Sequence, residues 1–354
     1  MISIDLQVLA AARRWAADQR RFALVTIART WGSAPRPPGS WLAVRDDGLL
    51  EGSVSGGCIE DDLIRRMREN RLGKSKPFTL TYGSSADEAA RFGLPCGGTL
   101  ELVVEPDPNI DGLAELAARL DRRTLSLRRI DLKTGTVTLS DARRDDSLCW
   151  DGERLTTVHG PRWRLLIVGA GQTTRYLAQM AMALDYEIVV CDPRREYQSS
   201  WNVPNTRLVT TMPDDAFLAM EPDARCAVVA LTHDPKLDDM VLLEALKSPA
   251  FYIGALGSRS NHARRRERFA RHFDLTEQEL GRLFGPVGLP IGSRTPPEIA
   301  ISILAEMTAV KNGAVSPLSD SNFTAPDTSA TCRKPLSEEH RVERYRRTAA
   351  GCRK

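Results

Sequence analysis

A chain of 354 residues is long enough for about two domains at roughly 150 residues each. Its hydrophobic content of 42% and charged content of 27% are ordinary for a globular protein with real cores. A net charge of +3 gives no argument for a nucleic-acid partner, no apolar run approaches the roughly 20 residues of a membrane helix, and seven scattered cysteines without a CxxC pair suggest neither a disulfide framework nor a zinc site. The opening stretch MISIDLQVLAAARRWAADQR reads as an amphipathic helix without the apolar core of a signal peptide, which places the chain in the cytoplasm. Residues 22–28 (FALVTIA) predict a buried strand, 30–40 (TWGSAPRPPGS) a loop, and 41–48 the start of a hairpin turning at Asp46-Asp47-Gly48. From Ile59 the apolar residues Ile59, Leu63, Ile64 and Met67 fall at helical spacing. Acids in the first turn and arginines at the end suit the dipole of that helix. Residues 100–105 (LELVVE) predict a strand, 111–120 a short helix, and 125–139 a hairpin turning at Thr134-Gly135.

The pattern changes at Arg164. RLLIVGAGQTTRYLAQMAMAL runs from an apolar strand through Gly-x-Gly into a helix, and EIVVCD follows as a second strand. RLVTT, CAVVALT and FYIGALG supply further strands with helical stretches between them, the alternation of a parallel sheet covered on both faces. The last helix is introduced by the capping box Thr295-Pro296-Pro297-Glu298 and closed by Asn312-Gly313. Residues 314–354 are polar and predict a disordered tail. The expected class is α/β: an N-terminal α+β domain over 1–110, a connecting helix and hairpin over 111–160, a Rossmann-like doubly wound domain over 161–313, and the tail.

Two groups of residues carry candidate chemistry. In GSVSGGCIEDDL, the backbone N–H groups around Ser55, Gly56 and Gly57 are free to converge on an anion, and a helix begins at Cys58. A cysteine at such a position favours thiolate and is a soft ligand for a metal. LPCGGT supplies a second glycine-flanked thiol, with Cys96, Gly97 and Gly98. The plain alternative is a small buried hydrophobe beside a glycine turn. In the other half, Gly169 and Gly171 open a helix, and Asp192 ends the next strand about 20 residues on, where an acid reaches a ribose hydroxyl. Thr174 stands where a third small residue packs helix against strand, which argues against ordinary NAD binding. His233, Arg259 and Arg294 lie after strands or before a helix, and the arginines suit a phosphate or carboxylate. Alternatively both arginines pair with nearby acids, His233 is a hydrogen-bonded loop residue, and Arg264-Arg265-Arg266 is a solvated helix face.

Taken together, TWGSAPRPPGS, GSVSGGCIE, LPCGG, the VGAG and CDPR pair, ALTHDPKLD, YIGALGSR and GPVGLPIGSRTPPEIAISILAE resemble the XdhC/CoxI family, accessory proteins of xanthine dehydrogenases, aldehyde oxidoreductases and carbon monoxide dehydrogenases. The resemblance runs from about Phe22 to Gly313. It implies a chaperone that binds the molybdenum cofactor, plain molybdopterin or its dinucleotide form, keeps it while a terminal oxo group is exchanged for sulfido, and delivers it to an apo-molybdoenzyme. It also implies a cysteine desulfurase partner, a homodimer, no membrane and no turnover of its own. Carried onto this chain, the cofactor loop is Ser55–Cys58, with Cys58 as the molybdenum or sulfur contact, and the second loop is Cys96–Gly98. Two alternatives stand beside it: an NAD(P)-dependent oxidoreductase using the Rossmann-like half, and a sulfur carrier holding a persulfide on Cys58.

Overall fold

The computed structural model describes residues 4–31, 36–72, 76–83, 92, 99–143 and 146–314. The Cys96–Gly98 loop and the tail expected after Ala314 lie outside the described residues. The chain divides at Pro161/Arg162 into two compact units.

The first unit holds α1 (Ile4–Ala17), β1 (Phe22–Trp31), β2 (Trp41–Arg45), β3 (Leu50–Gly52), α2 (Cys58–Arg68), β4 (Phe78–Tyr82), β5 (Thr99–Glu105) and α3 (Ile110–Asp121). It also holds β6 (Ser126–Asp131), β7 (Val137–Asp141), β8 (Cys149–Trp150) and β9 (Arg154–His159). The antiparallel sheet β3-β2-β1-β5-β4 is covered on both faces. Val25 and Ile27 pack with Ile59, Leu63 and Met67 of α2, while Phe22 and Leu24 pack with Leu9 and Trp15 of α1 and Leu116 of α3. Burial on both faces explains why β1 reads as a continuous apolar run instead of an alternating one. The expected connecting region belongs to this unit. Its hairpin forms β6 and β7, and these join β9 and β8 in a second sheet, β7-β6-β9-β8.

The second unit holds β10 (Trp163–Val168), α4 (Gln172–Ala183), β11 (Tyr186–Cys191), α5 (Arg195–Gln198), β12 (Arg207–Val209), α6 (Pro213–Leu218) and β13 (Cys226–Ala230). It continues through α7 (Pro235–Lys247), β14 (Tyr252–Ala255), α8 (Arg259–His272), α9 (Glu277–Leu280), β15 (Leu283–Phe284) and α10 (Pro296–Lys311). Its six parallel strands follow the order β12-β11-β10-β13-β14-β15, the strand order of a dinucleotide-binding fold. Alternate residues of β10 enter opposite cores. Leu165 and Ile167 meet Leu177 of α4 and Ile303 of α10, and Leu166 and Val168 meet Val241 and Leu242 of α7. The order reverses between β10 and β13, which opens the crevice where ligands of such sheets sit. No helix among the described residues is long and apolar enough to cross a membrane.

Candidate functional site

The cysteine loop starts at Gly52. Its φ is +87°, and a Cβ there would lie 2.3 Å from the Trp41 carbonyl oxygen and 2.8 Å from the Val8 side chain. Only glycine lets the chain leave β3 this close to β2 and α1. Ser53 N–H still bonds the Trp41 carbonyl, and the four amides from Val54 to Gly57 turn inward. Glu60 Oε1 accepts from the N–H groups of Val54 (2.9 Å), Ser55 (2.7 Å) and Gly56 (2.9 Å) and from the Ser53 hydroxyl (2.9 Å). Its Oε2 accepts from Gly57 N–H (2.9 Å) and from the Ser55 hydroxyl. The expectation that these amides await an external anion therefore does not hold, because the chain supplies the anion itself. Burial alone would raise the Glu60 pKa, but donation from the Gly56, Ser55 and Gly57 amides and the Ser55 hydroxyl outweighs it and brings it down to about 2. This linkage has a defined sign. The stabilisation is complete above the ordinary value of 4.5 and is lost as pH falls through about 2. Denaturant unfolding is expected to show stability falling across that window, with a shallower fall in Glu60→Gln.

The first-turn acids of α2 thus divide, with Glu60 buried and Asp61 exposed. Asp62 is also buried, taking hydrogen bonds from Tyr82 Oη (2.8 Å), Arg66 Nε (2.6 Å) and Arg65. Cys58 also stands outside this inward turn. It is the first residue of α2, it is exposed, and its thiol is free. Gly56 and Gly57 are exposed beside it, and among the described residues a Cβ on either would meet nothing within 4 Å. Bare backbone and open space therefore lead up to the thiol. Cys191 and Cys226 are free but buried, and burial, aided by the Asp192 and Asp214 charges, pushes Cys191 up to about 12. Cys149 is disulfide-bonded. Among the described residues no three His, Cys, Asp or Glu side chains cluster as a metal site. One exposed soft sulfur suits a metal that arrives already carrying its own ligands.

In the second unit, Gly169 leaves β10 with φ +104°, and a Cβ there would lie 3.1 Å from the backbone of Leu231 and Thr232. The glycine brings the first loop against the Thr232-His233 turn at the point where strand order reverses. Thr174 fits without loss, since it is buried and its hydroxyl donates to the Gly169 carbonyl at 2.5 Å. Gly171 precedes α4, and a Cβ there would meet nothing within 4 Å. Asp192 lies beside this loop but does not present an open carboxylate. It is fully buried, with Oδ2 bound to Ala170 N–H (2.8 Å) and Arg194 Nη2 (2.8 Å), and Oδ1 to the Arg194 amide (3.1 Å) and Nε (2.9 Å). Burial opposes ionisation, but the Arg194 guanidinium and these amides hold Asp192 below the usual carboxylate range. A ribose diol would have to displace Arg194 to reach it.

His233 is exposed and adopts a left-handed φ of +62° between Thr232, which is tied to Asp238, and Asp234, which caps α7. Arg259 and Arg294 are exposed, and among the described residues neither guanidinium is in an ion pair, so the alternative in which they pair with nearby acids finds no support. In the Arg264–Arg266 run, Arg265 turns inward to Asp239 (2.9 Å) and Asp238 (3.6 Å), leaving only its neighbours toward solvent. The residue that sequence reasoning passed over is Glu60. Its signal was the acid at the third position of a helix that begins after a glycine pair, where a side chain reaches back to the preceding amides.

The fold and these loops define a two-unit α/β protein with an exposed thiol loop on one unit and a Rossmann-type crevice on the other. Residues 15–83 match the model of the XdhC and CoxI family and residues 165–307 that of the XdhC Rossmann domain, and together they span more than half of the chain. The chain belongs to the XdhC/CoxI family. It is 28% identical over 81% of its length to the molybdenum cofactor insertion chaperone PaoD of Escherichia coli, covering 83% of that protein. It is 26% identical over 82% of its length to a protein of Bacillus subtilis described as a probable component of xanthine dehydrogenase, covering 93% of it. It is also 28% identical to the Escherichia coli protein YqeB, of which it spans only 44%. The crystal structure of a xanthine dehydrogenase from Bacillus halodurans superimposes with a TM-score of 0.70 at 24% identity over 90% of this chain and 98% of that one, a likeness of fold.

Proposed function

We propose that this protein is a molybdenum cofactor insertion chaperone for a xanthine dehydrogenase-type or aldehyde oxidoreductase-type enzyme, with no turnover of its own. Membership of the XdhC/CoxI family and the likeness to PaoD support this reading. The observation that carries it is the thiol of Cys58, exposed at the start of α2 beside two open glycines. Molybdenum is thiophilic, and a bulky pterin-bound metal needs the unobstructed approach that Gly56 and Gly57 leave. Cys58 then contacts the metal or its exchanging sulfur while the cofactor is sulfurated, with sulfur from a cysteine desulfurase. We assign Cys96, Gly97 and Gly98 to the same ligand. In the second unit we assign Gly169, Gly171, His233, Arg259 and Arg294 to a phosphate or to the nucleotide of a dinucleotide form, with Asp192 holding the Gly169 loop in shape through the Ala170 amide. The protein acts in the cytoplasm as a homodimer.

The NAD(P)-dependent oxidoreductase reading is the weaker one, because the acid it needs for ribose is closed by Arg194. The test is transfer. Protein loaded with molybdenum cofactor and freed of excess is mixed with a cofactor-free xanthine dehydrogenase-type enzyme. Activation by the loaded wild type, and loss of most of it with Cys58→Ala, is expected. Activation equal to that by free cofactor would overturn the insertion role.

A further inference from the structure

Four consecutive amides, from Val54 to Gly57, converge on one carboxylate within 2.7–2.9 Å. This is the arrangement that elsewhere holds a phosphate oxygen. Here the anion is covalently part of the chain and lies two residues beyond Cys58. An external phosphate approaching the same amides would meet a buried carboxylate, so these amides are closed to the phosphate end of a ligand while the thiol stays exposed. The same bonds fix the backbone on both sides of Cys58. Gly57 donates its N–H to Glu60 and accepts at its carbonyl from Asp61 N–H at 3.1 Å, while Ile59 is fully buried in the core under the sheet. Cys58 is therefore an exposed residue held between a clamped glycine and two buried side chains. Nothing else among the described residues restrains Ser55 and Gly56 by side-chain bonds, and glycine at 56 and 57 would otherwise leave this stretch conformationally loose.

We propose that Glu60 is the positioning residue for Cys58: it takes the place of an external anion, shapes residues 53–57 around itself, and holds the thiol toward the thiophilic end of the ligand. This rests on Cys58 being the cofactor contact. A positioned thiol binds without first ordering its loop, so Glu60 acts on affinity through Cys58 and not by touching the ligand.

The test is a double-mutant cycle on retention of purified molybdenum cofactor by the full chain, using Glu60→Gln, Cys58→Ser and the pair. Glu60→Gln keeps the shape but turns an amide NH2 toward some of the converging donors. Its expected effect in the wild-type background is about a tenfold loss of retention, the scale seen when a group that orients a ligand is removed. In the Cys58→Ser background it is expected to add nothing. An equal loss in both backgrounds, or no loss in either, overturns the positioning role. Full retention by Cys58→Ser alone is a separate result and removes Cys58 from the site, and the proposal with it. If Glu60→Gln does not fold, Ser55→Ala deletes one donor to Glu60 and keeps its charge. It is expected to give a smaller loss that also vanishes in Cys58→Ser, and an undiminished loss there overturns the proposal.

Discussion

Replacing Glu105 by alanine is expected to lower the unfolding free energy by about 3–5 kcal/mol, the scale for leaving one member of a buried ion pair without its partner. Glu105 ends β5, and Arg128 lies in β6 of the other sheet of the first unit. Both side chains are almost fully buried, and the guanidinium donates to both carboxylate oxygens, at 2.8 and 2.6 Å. Arg128 also stands over the Trp41 ring at 5.6 Å, and Trp41 packs on His159 at 4.4 Å. The pair therefore ties the two sheets together through a polar contact closed to solvent. Truncation of Glu105 leaves a cation with neither water nor counter-charge. The double replacement Glu105→Leu with Arg128→Met is expected to recover most of the loss, since removing both charges removes the unpaired one. Urea unfolding of the wild type and the two variants checks this. A single-variant loss below about 1 kcal/mol would mean that water reaches the pair.

Much of the second unit was legible in the sequence because its strands are buried on both faces. WRLLIV, YEIVVC and CAVVA are apolar runs that no amphipathic helix would tolerate, and the glycines at 169 and 171 stand at the turn that starts α4. Strands β4 and β9 were passed over for the opposite reason. Phe78–Tyr82 and Arg154–His159 alternate more and less buried residues, a short period-2 pattern that stands out less than a continuous apolar run. The two-residue strand β15 is too short to leave any pattern.

The site was legible as a place and not as a set of contacts. Glycine density, the helix start and the exposed cysteine mark the loop around Cys58. Which charged groups turn inward depends on partners brought by the fold. Glu60 reads as a solvated acid favouring a helix dipole, yet it is buried beneath the loop. Asp192 sits at the spacing of a ribose acid, yet Arg194, two residues on, closes it. Arg259 and Arg294 read as a phosphate or carboxylate clamp or else as partners of nearby acids, and the acid nearest Arg294, Glu298, instead takes the backbone amides of Arg294 and Thr295. Spacing locates such residues, but whether they face a ligand or one another is settled by tertiary packing.

If the Cys58 loop holds molybdenum cofactor, the purified protein retains it through that thiol. Purified protein is mixed with the cofactor and stripped of excess, and bound molybdenum and pterin are quantified for wild type and Cys58→Ala. A thiolate on a soft metal is the strongest contact this loop offers, because its amides from Val54 to Gly57 are already held by Glu60. The alanine variant keeps the helix and the Glu60 bonds, so its fold is expected to be unchanged. The account predicts stoichiometric retention by wild type and a loss of about tenfold or more in Cys58→Ala, the effect of deleting a ligand or its support at a metal. Equal retention by both proteins, or none by wild type, would contradict it.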